Sequence, residues 1–158
     1  PSRPATGEEV PLEKLLADVT RSVEAISPDC VTTVTGLAPN GRNTRDGFST
    51  IKDSAAEAIR LSVTEAARNS RKHAGPASRR RCMINITKKE LIVEFSDDGC
   101  GFDLATRDPQ RAGINVSILH RMRSIDGGDA QIFSSPGAGT TVTVRWCLTL
   151  QNLNSTNA

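Results

Sequence analysis

Two stretches of this chain concentrate side chains that do chemistry. In the first, Glu65, Asn69 and His73 recur at i, i+4 and i+8, with Lys72 beside them. On a helix that spacing sets the three on one face. A glutamate there can orient or deprotonate a hydroxyl nucleophile. An asparagine carbonyl suits Mg2+ as an oxygen ligand, and Lys72 and His73 can face phosphate oxygens. The same residues would also make an ordinary solvated stripe. The second stretch, FSDDGCGFD at 95–103, sets three acids and two glycines behind the apolar run LIVEF.

Several uses of that second stretch fail at particular positions. Placing Gly99 at the sixth position of an EF-hand loop puts Ala105 at the twelfth, where a bidentate carboxylate is needed. A dinucleotide-binding G-x-G-x-x-G would need glycine at 104, which is leucine. The chain has no Walker A motif, and a receiver-type phosphorylatable Asp does not fit acids that follow a mid-chain hairpin. Two readings stay open. One is a plain turn, in which Asp-Gly is common. The other is a nucleotide pocket, with Asp97 at a strand end accepting a hydrogen bond from an amine such as adenine N6. Gly99 and Gly101 would let backbone lie close under a flat ring. Asp98 and Asp103 read as solvated turn residues.

Two weaker signals follow. In QRAGINVSILH, Gly113 opens a helix shortly after Arg111. Free N–H groups at a helix start suit phosphate, although ordinary capping explains them equally well. PGAGTTVTV reads as a hairpin turn from which Thr140 can offer a hydroxyl.

The elements that must position these residues are legible from periodicity. Leu12, Leu15, Leu16, Val19, Val23 and Ile26 predict a helix over 12–26, stopped by Ser27-Pro28-Asp29. CVTTVTG reads as a strand and LAPNGRNTRDGF as a polar loop. IKDSAAEAIRLSVTEAARNSRKHAG is the longest helical pattern, running to about His73 and stopping at Gly75-Pro76. RCMINITKKELIVEFSD predicts two strands around a tight Lys-Lys-Glu turn. A helix over GINVSILHRMRSIDGG and a hairpin of DAQIFSS with TTVTVRWCLTL complete the order. Such a chain packs as an α+β two-layer sandwich: about three helices against a mixed, mostly antiparallel sheet. Residues 1–11 read as a linker or flank, 12–149 as one domain and 150–158 as a polar tail.

The bulk numbers narrow the classes. Net charge is +2, so nothing global points to nucleic acid or a membrane surface. The run Arg79-Arg80-Arg81 reads as a solvated patch. Cys30, Cys82, Cys100 and Cys147 are scattered with no Cys/His cluster, which argues against zinc and for reduced thiols of a cytoplasmic protein. No stretch is apolar enough to span a bilayer and no signal peptide opens the chain; a membrane would be reached only through a longer parent protein.

Taken in order, Glu65-x-x-x-Asn69-x-x-Lys72-His73, Asp97-Asp98-Gly99-Cys100-Gly101-Phe102, Ala112-Gly113-Ile114 and Gly137-Ala138-Gly139-Thr140 resemble the N, G1, G2 and terminal G-T motifs of the GHKL ATPase superfamily. The resemblance runs from about residue 12 to 149. It is nearest to the catalytic ATP-binding domain of bacterial sensor histidine kinases, in the subgroup paired with LuxR-type response regulators. It implies a Bergerat-type sandwich, ATP and Mg2+ as ligands, and transfer of the γ-phosphoryl group to a His on a separate dimerisation domain. Glu65 would assist that transfer or orient the nucleophile, and Asn69 would ligate Mg2+. Lys72 and His73 would line the phosphate side. Asp97 would bind the adenine amine over a floor shaped by Gly99 and Gly101. Gly113 would end the lid, and Thr140 would reach the adenine end. Arg111 stands where the first glycine of the G2 pattern falls and would face the γ-phosphate. Neither His73 nor His120 resembles a phosphoacceptor, which implies a catalytic domain of a longer kinase. An anti-sigma-factor serine kinase and a non-catalytic ATP-sensing domain are the alternatives.

Overall fold

Three helices cover one face of a five-stranded sheet in the computed structural model, which describes residues 7–37, 47–105 and 109–149, with backbone only at 109–112 and 114. In chain order the elements are β1 (Glu9–Pro11), α1 (Leu12–Ile26), β2 (Val31–Thr35), β3 (Thr50–Lys52), α2 (Asp53–His73), β4 (Arg80–Ile86), β5 (Glu90–Asp97), α3 (Pro109–Arg123), β6 (Gly128–Ser134) and β7 (Thr140–Cys147). The main sheet runs β2-β4-β5-β7-β6. Only its β2–β4 pair is parallel; the other three are antiparallel. This is the mixed α+β sandwich expected from the sequence.

Side-chain periodicity explains the two layers. Cys82, Ile84 and Ile86 of β4 point into the core, while Arg81, Met83 and Asn85 point out. On the helical side, α1 buries Leu12, Leu15, Leu16, Val19 and Val23, the 3.6-residue stripe of an amphipathic helix. The buried face of α2 is rich in small residues, among them Ala55, Ala58, Ala66 and Ala67, so its backbone lies close to the sheet. Trp146 of β7 fills the core beside Phe48, their rings edge-on at 5.1 Å. All four cysteines are free.

Three local expectations are corrected. Glu9–Pro11, read as part of a flank, forms β1 and pairs antiparallel with Thr50–Lys52. Ile51 and Lys52 therefore belong to a strand, not to the long helix; the fully buried Ile51 fits a β pattern as well as a helical one. Helix α3 begins at Pro109 rather than Gly113. Proline suits a first helical turn, where its missing N–H has no intrahelical partner to lose.

A further correction concerns Arg80. It is no part of a solvated patch: its side chain is 1 % exposed. Nε donates to Ser70 Oγ at 3.0 Å, and Nη2 donates to the carbonyls of Ser70 and Gly75, both at 3.2 Å. Nη1 donates to Asp29 at 3.1 Å. Strand alternation turns Arg80 inward between outward neighbours. The end of α2 and the turn after it supply carbonyl oxygens, each able to accept a second hydrogen bond, for a guanidinium fork.

Candidate functional site

The first turns of the strand-end loops and the facing sides of α2 and α3 enclose a cleft of about 550 Å³, including its open mouth. Its polar lining comes from Asn69, Ser70 and His73 on α2, Asp97 at the end of β5, Asn115 on α3 and Thr140 at the start of β7. Ala66, Phe95, Phe102, Ile118 and Val142 make the apolar walls. Such a slot, mainly apolar with a few placed polar groups, suits a flat ring with a polar edge.

Strand register brings the polar groups together. Asp97 lies directly opposite Thr140, and Thr140 opposite Ser134. Asp97 Oδ1 accepts the Gly99 N–H at 3.0 Å, which fixes the carboxylate; Oδ2 takes no hydrogen bond from the described residues. Gly99 sits against the end of α2, where a Cβ would collide with Ala74. Gly101 has φ +58, and a Cβ there would collide with the Ser135 carbonyl. Both positions require glycine, so the loop lies flat on its neighbours and leaves the cleft open.

The loop is tied on two sides. Cys100 N–H donates to Ala74 O at 3.1 Å and its thiol to His73 O at 2.9 Å. On the other side Phe102 N–H donates to Ser134 Oγ at 2.9 Å, and Ser134 shares a 2.9 Å hydrogen bond with Thr140 Oγ1. Asp98 turns away from the cleft. It accepts from the Arg79 backbone N–H at 2.6 Å and from Arg79 Nε at 3.0 Å, and these bonds hold its carboxyl below the usual range. It is more than a solvated turn residue: it latches the loop to the start of β4. Asp103 Oδ1 accepts the Ala105 N–H, a local turn bond.

Not all of the sequence-predicted residues meet in the cleft. Asn69, His73, Asp97, Gly101 and Thr140 line the cleft; Gly99 supports it from behind. Glu65 lies one turn before Asn69 and faces α3, where Arg121 Nη1 donates to its Oε2 at 2.9 Å. Lys72 is exposed and outside the lining, and Gly113 is exposed within α3, not at its first residue. Gly113 therefore does not present the first free amides of the helix; those belong to the residues before it. The Arg111 side chain lies outside the described residues. Residues missed from sequence are Ser134, Asn115 and Phe95. Ser134 becomes visible only through its pairing with Thr140.

Asn69 takes no hydrogen bond from the described residues, so its carboxamide is available to a ligand. Mg2+ needs only one or two protein oxygens when phosphates complete its shell, and Asn69 fits that demand. Among the described residues there is no group of three or more His, Cys, Asp or Glu that could hold a metal ion.

A profile of the histidine kinase-, DNA gyrase B- and HSP90-like ATPases matches residues 54–150, more than half of the chain. The chain belongs to this ATPase family. As an ATPase domain it binds ATP, and the matched span holds every cleft-lining residue. The ATPase domain is similar in structure to the histidine kinase domain from Erythrobacter litoralis EL346 blue-light activated histidine kinase. The TM-score is 0.64 at 18% identity, over 99% of this chain and 70% of that one. A longer chain of the Erythrobacter litoralis EL346 blue-light activated histidine kinase matches with a TM-score of 0.61 at 19% identity. There the ATPase domain covers 91% of its own length and only 44% of the other chain. Identity this low speaks for a shared fold. Comparison of sequence alone finds no matching curated protein. No helix among the described residues is long and apolar enough to cross a membrane.

Proposed function

We propose that this ATPase domain is the ATP–Mg2+-binding catalytic part of a two-component sensor histidine kinase. It donates the γ-phosphoryl group to a His on a separate dimerisation domain of the same kinase, and a LuxR-type response regulator acts downstream. The kinase works in the cytoplasm, reaches a membrane only through its parent protein and makes no direct contact with nucleic acid. The observation that carries this reading is the convergence of Asn69, His73, Asp97, Gly101 and Thr140 on one cleft from four parts of the chain. The structural neighbours are histidine kinases, which supports the choice within the family.

In this reading Asp97 Oδ2 accepts a hydrogen bond from the adenine amine, and Thr140 reaches the same edge. The ring lies over Gly101, with Gly99 keeping the loop pressed on α2. Asn69 ligates Mg2+, and His73, Lys72 and Arg111 face the phosphates as the tail leaves the cleft. Gly113 lets the start of α3 follow the lid. Glu65 orients the incoming imidazole. Mg2+ held by Asn69 would offset the charge that develops as the γ-phosphoryl group leaves ADP. The protein's own contribution is placement: two reactants held in line make the transfer effectively unimolecular.

The test is to mix the chain with the dimerisation domain of its parent and γ-labelled ATP. An acid-labile phosphate on that domain is the expected product. Acid-stable phosphoserine on another protein would support the serine kinase reading instead, and ATP binding with no transfer would support a sensing domain.

A further inference from the structure

We infer that Arg121 is the positioning residue for Glu65, with Ser117 and Ser62 as its supports. This rests on the phosphoryl-transfer reading above. The geometry is a clamp across the α2–α3 seam. Arg121 Nη1 donates to Glu65 Oε2 at 2.9 Å and to Ser62 Oγ at 3.4 Å. Arg121 Nη2 donates to Ser117 Oγ at 3.1 Å, and Ser117 Oγ donates in turn to the same Glu65 Oε2 at 3.3 Å. Ser117 and Arg121 are i, i+4 on α3, and Ser62 and Glu65 are i, i+3 on α2, so each pair shares a face. Glu65 Oε2 is thus held by two donors, while Oε1 takes no hydrogen bond from the described residues.

Position decides between a structural and a functional role. The clamp lies one turn along the seam from Asn69, Asn115 and Ile118, which line the cleft. The side chains of Arg121 and Glu65 are 27% and 23% exposed, so water screens the pair in part and its contribution to folding is modest. Placement is worth far more to a transfer reaction, where an error of about 1 Å lowers the rate roughly 100-fold. A free glutamate samples many rotamers. A glutamate with one oxygen pinned by a guanidinium fork presents the other in a fixed direction, toward whatever nucleophile enters beside Asn69. Arginine suits this task because its fork reaches Ser62, Glu65 and Ser117 together, which one ammonium group cannot do.

The experiment compares wild type, Arg121→Met, Arg121→Lys, Ser117→Ala, Glu65→Gln and the Glu65→Gln/Arg121→Met double variant. Mg-ATP affinity is read by calorimetric titration, and kcat and KM by slow ATP hydrolysis. Arg121→Met is expected to lower kcat by about 10-fold or more and leave Mg-ATP affinity within about 2-fold. Arg121→Lys should recover part of that loss. The double variant should be no slower than Glu65→Gln alone, because a clamp has nothing to position once the carboxylate is gone. If Arg121→Met does not fold, Ser117→Ala carries the test, with a fall of a few-fold in kcat at unchanged affinity. Wild-type kcat in Arg121→Met or in Ser117→Ala would overturn the inference, as would additive losses in the double variant. If wild type binds Mg-ATP without hydrolysis, kcat is read instead as transfer of labelled phosphate to the dimerisation domain of the parent, where a wild-type rate in Arg121→Met would overturn the inference. Failure of wild type to bind Mg-ATP would instead sink the reading of the cleft, and this inference with it.

Discussion

Gly101 shows how little freedom the site allows a single residue. Its φ of +58 lies in the left-handed region, where an L-residue costs about 1–2 kcal/mol, and a Cβ would also meet the Ser135 carbonyl. Gly101→Ala is expected to lower the melting temperature and to weaken ATP binding together; calorimetric melting and nucleotide titration of the same sample check both. Cys82 gives a pH-dependent prediction at the same scale. Burial, helped by the Cys30 charge, pushes its thiol from 9.0 up to about 12. Below pH 9 the thiol is protonated in folded and unfolded chains alike, and stability does not depend on it. Between pH 9 and 12 the unfolded chain loses this proton while the folded chain keeps it, so stability falls by about 1.4 kcal/mol per pH unit. Urea unfolding across this range should show the decline, with a shallower slope in Cys82→Ala. Asp97, Asn69 and Thr140 were legible in the sequence because each sits in a short local pattern. Ser134, Arg80 and Arg121 were not, because what each does depends on partners brought near only by the fold.

At the scale of elements, the end of α2 is the joint of the site. It carries Asn69 and His73, receives the Cys100 thiol and amide, and rests on Arg80. Replacing Arg80 by Met would remove the guanidinium bonds to Ser70, Gly75 and Asp29 that tie β4 to the end of α2. A loss of about 1.5–3 kcal/mol in urea unfolding is expected, the range for losing hydrogen bonds from a charged donor. Nucleotide affinity should fall as well, since Asn69 and His73 lie on the loosened turn. The helices and strands themselves could be read from apolar periodicity, and six of the main elements lie where that pattern puts them. The start of α3 could not, since Pro109-Gln110-Arg111-Ala112 offers no apolar stripe to count. The β1–β3 pair was hidden for a related reason: three-residue strands are shorter than one period of any reliable alternation.

For the molecule as a whole, the sandwich places the cleft between two layers that share one core, so occupancy and global stability are linked. A ligand that binds only the folded state adds RT ln(1 + [L]/Kd), about 2.7 kcal/mol at 100 times Kd. Saturating Mg-ATP should therefore raise the unfolding temperature of the chain. The central claim is that this cleft holds the adenine of ATP with Asp97 as the group that reads its amine. Titration of wild type and Asp97→Asn with Mg-ATP tests it most directly. The amide keeps the size of the carboxylate but loses its charge and half of its acceptor capacity. The expected result is saturable binding by wild type and affinity lower by about 10-fold or more in Asp97→Asn, in line with the loss of a charge-assisted hydrogen bond. Equal affinity in the two proteins would contradict the claim.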